Sequence, residues 1–136
     1  MNIEIQFKQH WWLLTLMMAF CLHSENVIAS GGAVLQGLDK VTARIQRIEA
    51  SIDQPVQFGS LRIRVRICVK RPPEELPESS VFLEITDERV GEEAVRVFSG
   101  WMFASSPSLS AMEHAVYDVW VVDCMNEASA SSSSSR

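Results

Sequence analysis

Histidine, tyrosine and long apolar runs are all scarce in this chain, and each scarcity removes a class of function. There are three histidines, three cysteines and a single tyrosine in 136 residues. His10 and His23 fall in the N-terminal segment, which leaves His114 alone in the body of the chain. One histidine and two cysteines that have each other as partners are too few ligands for zinc. The acidic pairs Asp87-Glu88 and Glu92-Glu93 lack the spacing and glycine of a calcium loop. No Gly-x-Ser-x-Gly elbow is present. Neither a metal, a cofactor nor a catalytic set is therefore expected. A net charge of −5 argues against nucleic acid as a partner. The longest apolar run, residues 11–22, has 12 residues, against roughly 20 needed to span a bilayer. A retained transmembrane anchor is not expected.

What is present begins with an address. Lys8 and the amino terminus precede the apolar run, and polar residues 23–26 follow it. Val27 and Ala29 then suit the small-residue positions before a signal-peptidase cut. Residues 1–29 read as a cleavable signal peptide, with the mature protein in the periplasm; a buried N-terminal helix is the alternative. Cleavage removes Cys21 and leaves Cys68 and Cys124. An even pair in an exported domain reads as a disulfide, with two separate buried thiols as the competing reading. Residues 30–127 suffice for one domain. Residues 128–136, almost pure serine and alanine, are expected to be a disordered tail.

Strand signals fill the domain. From Ser60 the chain alternates, with Leu61, Ile63, Val65, Ile67 and Val69 on one face and Arg62, Arg64, Arg66, Cys68 and Lys70 on the other. Pro72-Pro73 ends that strand, and the acidic stretch 74–78 reads as a solvated loop. Weaker strands are expected at 33–38 and 41–52, joined near Asp39-Lys40. A helix over 40–49 competes with the second, and its Val, Thr and Ile content favours the strand. Residues 80–86 form a strand with Val81, Leu83 and Ile85 inward, and 87–93 an exposed connection. Residues 94–103 form another strand, with a bulge expected at Gly100. The polar loop 104–114 has room for one helical turn, and Ser110 and Glu113 have capping-box spacing. The last strand, 116–124, is apolar on both faces and reads as central in its sheet. The fold class is all-β, a small antiparallel sandwich or partly open barrel with one disulfide.

Four stretches together resemble a known family. They are Gly37-Leu38-Asp39-Lys40-Val41-Thr42, Cys68-Val69-Lys70-Arg71-Pro72-Pro73-Glu74-Glu75, Phe98-Ser99-Gly100-Trp101-Met102-Phe103-Ala104-Ser105-Ser106-Pro107 and Glu113-His114-Ala115-Val116-Tyr117-Asp118-Val119-Trp120. The pattern is similar to a set of small exported alphaproteobacterial proteins of unknown function. The resemblance implies export and a paired Cys68 and Cys124, and it brings no activity. Ala115 departs from the proline expected there, and the basic run Arg62-Arg64-Arg66 is particular to this member.

Two surface features remain as candidates. The three arginines of one strand face could dock an anionic partner, or be a solvated face with acidic neighbours across the ladder. The loop from Gly100 to Asp118 gathers Trp101, His114, Tyr117 and Asp118 with several serines. His114 as base, Asp118 as its orienter and a loop serine as nucleophile would make a hydrolase. Hydrogen bonds from His114 and Tyr117 that hold the loop to the sheet are the simpler role. Trp101 and Trp120 are expected in the core more than on a platform. The leading expectation is a non-enzymatic envelope protein that binds an envelope or membrane-associated protein. A domain for a small ligand or cell-wall fragment comes second.

Overall fold

The computed structural model describes residues 31–126. The expected signal peptide and serine-rich tail lie outside the described residues. Seven strands run in order: β1 (Gly32–Asp39), β2 (Arg44–Ser51), β3 (Val56–Phe58), β4 (Leu61–Lys70), β5 (Ser79–Asp87), β6 (Val95–Phe103) and β7 (Tyr117–Met125). A short 3-10 helix, Pro107–Ser110, lies between the last two. The strands form a three-stranded sheet, β2-β1-β7, and a four-stranded sheet, β3-β4-β5-β6. Every ladder is antiparallel. The two sheets pack face to face as a sandwich and do not close into a barrel.

Period-two patterning builds the core. Leu61, Ile63 and Val65 of β4 and Val81, Leu83 and Ile85 of β5 point inward and are fully buried. Ala33 and Leu35 of β1, Ile48 and Ala50 of β2, and Val119 and Val121 of β7 face them. Met112, from the loop before β7, plugs the same core. The competition between helix and strand over 40–49 resolves as strand from Arg44. The preceding turn is set by Asp39, whose Oδ1 accepts the N–H groups of Val41 and Thr42 at 2.9 and 3.1 Å.

Three bulges change the phase of this pattern. On β4, Val65 pairs with Leu83 and Ile67 with Phe82, so Arg66 is the extra residue. Beyond it the faces exchange: Ile67 is exposed and Cys68 is buried. The unbroken alternation expected from Ser60 to Lys70, which put Cys68 outward with the arginines, is thus corrected. On β7 the extra residue is Val122, since Val34 pairs with Asp123 and Leu35 with Val121. That bulge turns Cys124 inward, where Asp123 would otherwise have pointed. Each cysteine therefore reaches the core because a bulge two residues before it reverses the pleat. The disulfide Cys68–Cys124 joins β4 to β7, and so one sheet to the other, with Cα atoms 5.7 Å apart.

The third bulge lies at Val97, not at Gly100, which pairs in register with Leu83. Three further expectations are corrected. The strand β7 is an edge, with β1 at the centre; its apolar inner face reflects packing on the opposite sheet. Ser110 ends the 3-10 helix instead of capping a helix onward to Glu113. Glu78, placed in a solvated loop, accepts the N–H of Ser79 at 3.0 Å and of Ser105 at 3.1 Å, and the Ser105 hydroxyl.

Candidate functional site

His114 sits where the two sheets meet, at the end of the sandwich away from the disulfide. Its side chain is 5% exposed. Nδ1 accepts the backbone N–H of Val116 at 3.2 Å and of Tyr117 at 3.1 Å. That fixes the tautomer: the proton is on Nε2, which faces Asp87 Oδ2 at 3.1 Å. Asp87 also accepts the Ser60 hydroxyl on Oδ1 and pairs with Arg89 Nε at 2.8 Å. The Ser60 hydroxyl holds the Asp87 carboxyl below the usual carboxylate range; burial opposes this, and His114 and Arg89 reinforce it. Tyr117 stacks on His114 and meets Phe58 edge-on at 5.3 Å. Gly59 makes room for that ring. Its φ is +58°, and a Cβ there would lie 2.3 Å from Tyr117.

The order of these groups decides their chemistry. A hydrolytic triad needs histidine between serine and carboxylate, so that the base can take the hydroxyl proton. Here the carboxylate is in the middle, and both ring nitrogens of His114 are engaged elsewhere. Asp118, expected to orient His114, accepts its neighbour's N–H from Val119 instead. Of the loop serines, Ser105 is committed to Glu78. The cluster is a polar bolt between the sheets, which matches the simpler role expected of His114. Asp87, Ser60 and Gly59 were not expected in it. Asp87 had a signal: it continues the inward series Val81, Leu83, Ile85 by one more step.

The arginine face has a different character. Arg62 pairs with Glu88 at 3.3 Å, and Arg66 with Asp53 at 2.6 Å and Glu84 at 3.8 Å. Arg64 lies across from Glu84 in the ladder, and neither it nor Arg96 has an ion pair within 4.0 Å among the described residues. Arg96 joins the same outer face through its pairing with Thr86, which also pairs with Arg62. Beside these cations the Arg66 bulge creates an apolar row, Ile67–Phe82–Trp101, in register across β4, β5 and β6. Trp101 is 40% exposed and meets Phe82 edge-on at 5.6 Å. It belongs to the surface, not to the core where it was expected, because its pairing with Phe82 places it on the outer parity.

A shallow groove on the opposite sheet is lined by Val34, Arg47, Glu49, Val122, Asp123 and Met125. Its Arg47 and Glu49 pair with each other at 3.2 Å. Among the described residues, no group of three or more histidine, cysteine or carboxylate side chains is placed to hold a metal ion. No helix among them is long and apolar enough to cross a membrane.

The chain is similar to an uncharacterized protein of Rickettsia prowazekii (strain Madrid E), RP359, at 31% identity over 87 residues. The match covers 64% of this chain and 56% of the relative, so the chain spans a little over half of that protein's length. No solved structure matches. Residues 33–124, from the first core residue of β1 to the second disulfide cysteine, match the family model described as "Uncharacterized protein conserved in bacteria (DUF2155)". The chain belongs to that family.

Proposed function

We propose that this protein is an exported, non-catalytic binding module of the bacterial cell envelope, which docks another protein on the outer face of its four-stranded sheet. One observation carries the reading: the apolar row Ile67–Phe82–Trp101, half-buried at Phe82 and exposed at Ile67 and Trp101, lies beside Arg62, Arg64 and Arg96. Tryptophan and arginine are the side chains most enriched where interfaces concentrate their binding energy. Among the described residues neither Arg64 nor Arg96 is held in an ion pair within 4.0 Å, although Glu84 faces Arg64 across the ladder, and the chain is acidic as a whole. Such segregation favours a partner with an acidic and apolar surface. The disulfide supports residence in an oxidising compartment such as the periplasm. The hydrolase alternative loses its support, because His114, Ser60 and Asp87 spend their hydrogen bonds on one another and on the backbone.

The test is a photocrosslinking amino acid placed in cells at Ser99, on this face, and at Arg47, on the outer face of the opposite sheet. A discrete adduct from Ser99 that disappears with Arg64→Glu and Trp101→Ala, in a protein that stays folded and oxidised, is the expected result. Equal adducts from both faces, or none from Ser99, would refute the docking face. Fractionation of the same cells tests export: full-length protein in the cytoplasm would overturn it. Binding of a small ligand or cell-wall fragment, the second reading, has the groove at Val34 and Met125 in its favour, and it predicts adducts from Arg47 alone.

A further inference from the structure

An antiparallel sandwich with two open sheets has four edge strands, here β2, β7, β3 and β6. Edges are templates for pairing, and proteins blunt them with charge, proline, bulges or short length. β3 has three residues. β2 carries Arg44, Arg47 and Glu49. β7 carries Asp118 and Asp123 and is tied to the other sheet near both ends. β6 differs from all three. Its nine residues hold one charged side chain, Arg96, and no proline or lysine. Its bulge at Val97 protects only the first part, leaving Phe98–Phe103 as a regular, uncharged edge. Apart from the ladder to β5, the one backbone hydrogen bond of β6 within the described residues is accepted by Phe103 from Ser106.

We infer that the outer edge of β6 accepts an extended acidic segment of the partner protein as a fifth strand of the sheet. The inference rests on the docking face proposed above and specifies how that face is used. A strand added beyond β6 lies about 4.8 Å away and presents alternate side chains to the same outer surface. Outward on β6 are Arg96, Ser99 and Trp101, opposite Thr86, Glu84 and Phe82 of β5. β5 spans these three rows with residues two apart, because the extra residue of the bulge belongs to β6. A strand on the other side that follows the same rows places an acidic side chain against Arg96 and an apolar one against Trp101, four residues apart. Cross-strand pairs of opposite charge and of aromatic character are those that stabilise antiparallel ladders. Backbone hydrogen bonds supply affinity, and the arginine and tryptophan rows supply register and choice of partner.

The experiment uses the oxidised protein and three fluorescent peptides, read by anisotropy and by amide hydrogen exchange. The first is threonine-rich, with one glutamate and one phenylalanine four residues apart. The second has the same sequence with alternate backbone nitrogens methylated, in both phases. The third moves the two side chains to three apart. Saturable binding of the first peptide is expected, with affinity falling at least about tenfold on methylation, on respacing, or in Arg96→Glu protein. Amides of residues 98–103 should slow their exchange in the complex. Methylated peptide that binds as well as the parent overturns strand addition while leaving the docking face in place. No saturable binding of the first peptide also overturns it, and the crosslinks from Ser99 then decide the docking face separately. Binding that persists in Arg96→Glu protein removes the acidic register from the inference.

Discussion

The two ends of β7 are fastened to the opposite sheet by unlike chemistry. At its C-terminal end the tie is covalent, Cys124 to Cys68. Beside the bond, Lys70 holds both oxygens of Asp123 at 2.8 Å, and Ser79 adds its hydroxyl. At the N-terminal end the tie is wholly polar and aromatic: His114 to Asp87, and Tyr117 to Phe58. The ion pair at the disulfide end is half exposed, whereas Asp87 and His114 are nearly dry, with side chains 7% and 5% exposed. An edge strand has one hydrogen-bonded neighbour, so its position over the other sheet needs fixing at two points. Where a disulfide does this, the ion pair beside it stays half in water. Where none does, the polar groups must be buried to be strong enough, and every one of them must then be satisfied. No buried side-chain nitrogen or oxygen among the described residues lacks a partner.

The comparison breaks most visibly at the covalent end. Cys68→Ala with Cys124→Ala frees a loop whose ends are 56 residues apart, a loss of about 4 kcal/mol on the chain-entropy account. A domain of this size has roughly 5–15 kcal/mol in all. Urea unfolding of the double variant should therefore show a much lower midpoint, and added reductant should change it no further. An unaltered midpoint would mean that the polar end holds β7 alone.

Asp87→Ala is the counterpart at the other end. It strands the Nε2 proton of the buried His114 and the Ser60 hydroxyl, while the half-exposed Arg89 keeps water and Glu92, for a loss of about 3 kcal/mol. The same carboxylate makes stability depend on pH. Its folded pKa is lowered, so the unfolded chain binds more protons in acid. The contribution is complete above the unfolded value near 4 and is lost as pH falls through the folded value. Thermal unfolding from pH 6 to pH 2 should thus fall steeply for the wild type and less steeply for Asp87→Asn. Identical acid slopes would show that the Asp87 site does not couple protonation to folding. Asp39, Glu78 and Asp123, all also lowered, contribute to the slope that remains.

Which parts of this were legible in sequence follows from what the period-two pattern can carry. Inward Val81, Leu83 and Ile85 followed from alternation, as did the outward Arg62 and Arg64, because on those stretches residue parity equals face. Parity fails at a bulge, and nothing in Arg66, Val97 or Val122 as residue types announces an extra residue. For that reason the cysteines were placed as a pair from their number, while Cys68 was put on the wrong face. The apolar row through Ile67 and Trp101 was missed for the same cause. His114 drew notice by being alone, but its partner comes from the end of β5, 27 residues earlier. Nearness along the chain favoured Asp118, and the ladder brought Asp87. β7 read as central because its outer apolar residues, Trp120 and Val122, look like those of a strand covered on both faces; Val122 is in fact the bulge.

Lys70→Met is the smallest change that still bears on the difference between the ends. Both partners of the Lys70–Asp123 pair are about half exposed. Burial works against the Asp123 charge and is outweighed by the hydrogen bonds from Lys70, Ser79 and the Cys124 N–H. Removing Lys70 leaves the carboxylate with two donors and with access to water, so the loss should be about 0.2–1 kcal/mol. It should shrink further in salt, because exposed pairs are screened. The Asp87–His114 contact is enclosed, and the effect of Asp87→Ala should hardly change with salt. Denaturation of the two variants at low and high ionic strength measures both. A loss for Lys70→Met as large as that for Asp87→Ala, and equally indifferent to salt, would mean that the two ends use buried polar ties alike, with the disulfide an addition to a fastening already complete.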